Sequence, residues 1–147
     1  MISYEGRPTW KTTRGGATVV GVEDGIEWTL DPRLDLCNHS PTGFAWGYSG
    51  SGPAQTSLAI LADWFGKQTD AEVDRILGVL RIEHLESPPT LEHRSWREYL
   101  AICLHQSFKA RVIACFENNE RFSLTSDEVA AHVLTIAEAS GKAGRWA

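Results

Sequence analysis

The sequence predicts an α+β domain: a small N-terminal antiparallel sheet, made of a hairpin and one short strand, covered by about four α-helices. Three observations carry that expectation. Period-2 apolar patterning is confined to the first thirty or so residues, as in Ile2 and Tyr4 and again across 18–30. Apolar residues at helical spacing fill the chain beyond position 53. Between the two regions, residues 38–55 are rich in glycine and proline yet carry Phe44, Trp46 and Tyr48. A chain of 147 residues holds one such domain. Residues 1–37 supply the sheet, 38–55 a central loop, and 54–141 the helices.

The first strand is expected around Ile2 and Tyr4, before a break at Gly6-Arg7-Pro8. A polar loop spans 11–16. The hairpin follows, with Thr18-Val19-Val20-Gly21-Val22 and Ile26-Glu27-Trp28-Thr29-Leu30 flanking Glu23-Asp24-Gly25. A two-residue turn would pair Val22 with Glu27 and Val20 with Thr29, mixing the faces. A three-residue turn pairs Val22 with Ile26 and Val20 with Trp28, which gathers Val20, Val22, Ile26, Trp28 and Leu30 on one face. The longer turn is therefore expected. Asp31-Pro32 ends the strand.

In the central loop the period-2 spacing of Phe44, Trp46 and Tyr48 suggests a short extended segment. Ser51 or Gly52 can cap the first helix, with Pro53 in its first turn and Ala54, Leu58, Leu61 and Phe65 on its apolar side. Gly66 ends it. Thr69 and Glu72 form a capping box for a second helix whose stripe is Val73, Ile76, Leu77 and Leu80. Ser87-Pro88-Pro89 interrupts the chain. A third helix starts between 90 and 95 and runs to about Phe116, with Trp96, Leu100, Leu104, Phe108, Val112 and Cys115 as its stripe. Thr125 and Glu128 cap the last helix, Leu124 and Val129 staple it, Val133 and Ile136 continue its face, and Gly141 stops it. The tail after it is expected to be loose.

Composition narrows the function. Formal net charge is −5, so no basic field favours nucleic acid. Arg94, Trp96, Arg97 and Tyr99 interleave basic and aromatic residues, but Glu92 and Glu98 dilute that charge. Cys37, Cys103 and Cys115 lack zinc-type spacing and read as reduced thiols. No apolar run reaches membrane-spanning length and residues 1–5 do not read as a signal peptide, so a cytoplasmic protein is expected.

Three site chemistries can be weighed. A serine nucleophile would use Gly47-Tyr48-Ser49-Gly50-Ser51, but the final position departs from Gly-x-Ser-x-Gly and no carboxylate is at hand to orient His39. No catalytic residue is assigned. A metal site would need Glu83, His84, Glu92, His93, Cys103 and His105, which offer no two histidines at i,i+4; neither metal nor cofactor is expected. A cradle for a small anionic ligand would place Ser49, Ser51 and Gln55 at the first helix's N-terminus, with His39, Ser40, Thr42, Trp46 and Tyr48 around it. Lys109 would add charge, one turn after His105. The structural alternative is that the glycines permit close packing while hydroxyls and aromatics serve the core. A partner-protein surface would use Arg94, Trp96, Arg97 and Tyr99, with Trp10 and Trp146 as further aromatics.

Residues 40–55, Ser-Pro-Thr-Gly-Phe-Ala-Trp-Gly-Tyr-Ser-Gly-Ser-Gly-Pro-Ala-Gln, resemble the signature of a family of small uncharacterised domains from phages, plasmids and other bacterial mobile elements. Tyr4-Glu5-Gly6-Arg7, Phe108-Lys109 and Phe122-Ser123-Leu124 resemble that family's start, its Phe-Lys helix and its C-terminal entry. Thr56 and Ser57 stand where the family pattern has an apolar pair, and 67–97 is longer than its usual link. The resemblance implies a non-enzymatic accessory protein of a mobile element. It would act in the bacterial cytoplasm by binding and inhibiting a host defence protein, through 67–97. The alternative is a phosphate- or nucleotide-type ligand at the Gly/Ser-rich helix entry. Surplus apolar faces in a tryptophan-rich small domain also point to a homodimer.

Overall fold

The computed structural model describes residues 1–8, 17–82 and 95–142. The expected α+β class holds. Strands β1 (Ser3–Arg7), β2 (Thr18–Glu23) and β3 (Ile26–Thr29) precede helices α1 (Ser51–Gly66), α2 (Asp70–Val79) and α3 (Trp96–Arg111); β4 (Phe122–Thr125) and α4 (Ser126–Lys142) follow. The sheet is antiparallel in the order β3-β2-β1-β4. Among the described residues, no helix is long and apolar enough to cross a membrane.

The hairpin takes the register that mixes the faces. Val22 lies opposite Glu27 and Val20 opposite Thr29. Asp24 and Gly25 have φ of 51° and 79°, the left-handed pair of a two-residue primed turn, whose twist matches that of the strands. The valine count misleads because Gly21 sits opposite Trp28 and leaves room for the indole. A Cβ on Gly21 would lie 2.2 Å from that ring. The helix-facing side thus carries Tyr4, Val19, Trp28, Phe122 and Leu124. On the outer side the Arg7–Glu27 ion pair, 2.6 Å long, crosses β2 at the level of the buried Val20.

Two further strand expectations change. β1 continues through Gly6 and Arg7, and β4 pairs with it, so the sheet has a strand beyond the hairpin and first strand. Gly6 is needed at this junction, because its missing Cβ is where the Phe122 ring lies, 2.1 Å from the ideal position.

Helix α1 is buried on almost every side and forms the axis of the domain. It runs antiparallel to α3. Ser57 donates to the carbonyl of His105, and Arg97 donates to that of Phe65. Gly50, without a side-chain cap, is its N-cap, in place of Ser51 or Gly52. Val73, Ile76, Leu77 and Leu80 of the second stripe are buried as expected, behind a Thr69 cap that accepts from the Glu72 amide at 3.2 Å. Helix α3 starts from a reciprocal Ser95–Glu98 box and ends at Arg111, short of Phe116. A single 3₁₀ turn follows, leaving Cys115 exposed and Phe116 stacked on Phe122 at 4.5 Å. The Thr125–Glu128 box opens α4. Helix α4 is described to Lys142, one residue past the expected stop at Gly141, and Gly141 lets α4 cross the end of α2, where a Cβ would meet the Val79 carbonyl at 2.2 Å.

Candidate functional site

The first half of α1 carries Gln55, Thr56 and Ser57, all fully buried. Each is committed to holding chain. The Gln55 amide donates to the carbonyls of Pro32 (2.5 Å) and Cys37 (3.1 Å), and its oxygen accepts from the backbone of His39 (2.8 Å) and Ser40 (3.1 Å). That uses the full capacity of a carboxamide. Thr56 Oγ1 donates to the Ala45 carbonyl at 2.8 Å and accepts from the Ala45 amide at 3.1 Å. Ser57 joins α1 to α3 through the 2.5 Å bond to His105 O. Gln55 and Thr56 therefore fasten loop 32–47 to the central helix, and Ser57 fastens α3 to it. Gln55 belongs to this clamp.

The clamp delivers His39 to His105. Their Nε2 atoms are 2.8 Å apart, and Nδ1 of His105 is 2.5 Å from the Ile102 carbonyl. A carbonyl only accepts, so His105 Nδ1 holds the proton, its Nε2 accepts, and His39 Nε2–H donates. The ring centroids are 5.0 Å apart, close to the most that a 2.8 Å gap and two ring radii allow. The nitrogens thus meet head-on. That is the geometry of a hydrogen bond, whereas two ligands of one metal would converge at an angle on a point between them. Among the described residues, no three His, Cys, Asp or Glu side chains form a metal-binding group.

His105 is 4% exposed, and burial pushes its pKa below the ordinary imidazole value; the bond to Ile102 opposes this, and the neighbouring His39 and Lys109 reinforce it. Lys109 lies one turn on, level with the first turn of α1 in the antiparallel pairing. Helical side chains lean toward the N-terminus, the direction of His105, whose pKa the Lys109 charge helps to lower.

The other expected ligand residues divide. Ser49, Ser51 and Thr42 are exposed. Tyr48 is exposed too, folded over Gly50 and Gly52; a Cβ on Gly50 would touch its ring at 2.7 Å. Trp46 is buried, donating Nε1–H to Glu120 O at 2.7 Å and meeting Phe122 edge-on, so it serves the core. The extended segment expected across 44–48 is turned by Gly47 at φ 86°, where a Cβ would strike Asn118 backbone at 2.5 Å. Ser40 enters through its backbone bond to Gln55.

Of the partner candidates, Arg97 is spent on the structure. It donates to the carbonyls of Phe65 (3.1 Å) and Gln68 (2.9 Å) and pairs with Asp70 at 2.7 Å, closing the C-terminal end of α1. Trp96 and Tyr99 pack edge to face at 5.5 Å. Cys103 is half-buried, and burial raises its thiol pKa. Arg94, Trp10, Trp146, Glu83, His84, Glu92 and His93 lie outside the described residues, as do the loop 11–16 and the 87–89 break.

One polar centre escaped sequence reading. Asp63, toward the other end of α1, accepts from Tyr4 OH (2.8 Å), Trp28 Nε1 (3.3 Å) and Lys67 Nζ (2.8 Å). Burial, then the Asp63 charge, pushes the Tyr4 phenol far above its ordinary pKa. Lys67 also sits 4.7 Å above the Trp28 ring. The available signal was an acid interrupting the apolar run 58–65.

No curated protein and no solved structure matches the chain. Residues 4–76, from β1 into α2, are similar to a family of unknown function, DUF6166; the matched stretch contains His39, Gln55 and Asp63 and stops before α3, which supplies His105 and Lys109.

Proposed function

We propose that this chain is a binding protein for a small anion of the phosphate or nucleotide type, held where the His39–His105 pair meets Lys109. The head-on histidine pair is the observation that carries this reading. With His105 Nε2 as acceptor and His39 Nε2–H as donor, Nδ1 is the nitrogen of the half-buried His39 ring that can meet a ligand. Lys109 adds a positive charge nearby, and the uncapped N-terminus of α1 a favourable dipole. NMR titration with inorganic phosphate and with ATP tests it. Saturable shifts at His39, weakened about tenfold in folded Lys109→Ala, are expected, as for loss of one charge-assisted contact. Absence of saturable shifts at this corner would refute the reading.

A second reading has a protein partner. An accessory protein of a phage or mobile element, inhibiting a bacterial defence protein, would use the start of α3. A concavity of about 410 Å³ lined by Asp70, Val73, Asp74, Ser95, Trp96 and Arg97 supports it. Co-purification of a defence protein from the host, lost in Trp96→Ala, is its expected result. No captured protein and no protection of phage in cells would discard it.

A further inference from the structure

We infer that the edge of β3 left unpaired among the described residues pairs with β3 of a second copy of this chain, about a two-fold axis at Trp28. In a two-residue hairpin the residues flanking the turn, here Glu23 and Ile26, form a hydrogen-bonded pair, and such pairs alternate along the ladder. Gly21–Trp28 is the next. The Leu30 amide, 2.9 Å from Val19 O, continues the series. Glu27 and Thr29 therefore direct their N–H and C=O away from β2, to the outside of the sheet. β3 is an end strand, and both residues are exposed.

Antiparallel self-pairing requires outward residues to face outward residues, which leaves three central registers. Glu27 opposite Glu27 sets two carboxylates against each other. Thr29 opposite Thr29 sets Glu27 against Asp31. Only the register with Trp28 opposite Trp28 avoids opposed acids, placing Glu27 against Thr29 on both sides of the axis. An exposed acid on a short edge strand normally discourages pairing. Here the same acid selects one register.

That register also matches shape. Ile26 is 69% exposed, on the helix-facing side with Trp28. It falls opposite the second copy's Leu30, beside a cavity of about 190 Å³ lined by Leu30, Asp31, Arg33, Ala59 and Asp63. Ile26 thus lies beside a cavity that is apolar at Leu30 and Ala59 and charged at Asp31, Arg33 and Asp63, and the two-fold repeats the contact. The interface is self-complementary, as an isologous dimer requires.

The test combines sedimentation velocity over a wide concentration range with amide hydrogen exchange. The expected result is a monomer–dimer equilibrium in which the Glu27 and Thr29 amides gain protection with concentration. Ile26 and Trp28, already bonded to β2, should change little. Ile26→Lys, at a site exposed in the monomer, should raise the dimer dissociation constant at least about tenfold while keeping the monomer's circular dichroism. A chain monomeric throughout overturns the inference, even if another protein's strand protects those amides. So does a dimer whose Glu27 and Thr29 amides exchange freely, or one indifferent to Ile26→Lys.

Discussion

The two ends of α1 are fixed by polar side chains of different kinds. At the N-terminal end, Gln55, Thr56 and Ser57 are neutral, fully buried and bonded to backbone across loop 32–47 and α3. At the other end, Asp63 is charged, partly exposed and bonded to the side chains of Tyr4, Trp28 and Lys67. A neutral clamp on backbone holds one geometry and strands several groups when it is lost. A carboxylate near solvent can exchange a lost partner for water. The first arrangement suits positioning a site, and the second suits tying a helix to a sheet.

Gln55→Leu should show the contrast most strongly. It takes the partner from two carbonyls and two amides of a partly buried loop, at a cost of about 3 kcal/mol in urea unfolding. A loss below about 1 kcal/mol would mean the clamp is dispensable. Asp63→Ala should cost less, about 1.5–3 kcal/mol, since Lys67 can reach water while Tyr4 and Trp28 cannot do so fully. If it exceeds Gln55→Leu, the ranking of the two ends is reversed. Tyr4→Phe removes one hydroxyl without leaving a void and should cost about 1 kcal/mol. Lys67→Ala, at a solvent-reachable pair, should stay within about 1 kcal/mol.

The histidine served by the clamp adds a pH dependence. His105 has a folded-state pKa below its unfolded value, so between the two values the unfolded chain binds the proton that the folded chain refuses. Stability should thus fall as pH drops below about 6.5. His132, also lowered, by burial and then Arg111, acts in the same direction. His105→Gln should flatten most of the slope and His132→Gln a smaller part; an unchanged slope in His105→Gln would place the effect elsewhere.

Much of this architecture was readable from local signals. The Thr69 and Thr125 caps and the apolar stripe of α2 each depend on residues within a turn or two of one another. What failed depends on distant partners. The hairpin register followed from the fit of Trp28 over Gly21, which a tally of valines misses. β4 is four residues long and is a strand because β1 lies beside it. Gly141 lies one residue before the last described residue of α4, and its close approach to Val79 is visible only in the fold. Gln55, read as a ligand residue, has four partners in a loop up to 23 residues away. His39, His105 and Lys109 were all marked, His105 as a metal-ligand candidate and as the residue one turn before Lys109, but its hydrogen bond to His39 is visible only once folding sets the two rings together.

The most direct measurement is histidine nitrogen NMR across the acid range. The account predicts that His105 keeps its proton on Nδ1 and remains neutral below the ordinary imidazole range, with a His39 Nε2–H in slow exchange. A His105 carrying its proton on Nε2, or titrating like a free imidazole, would contradict it.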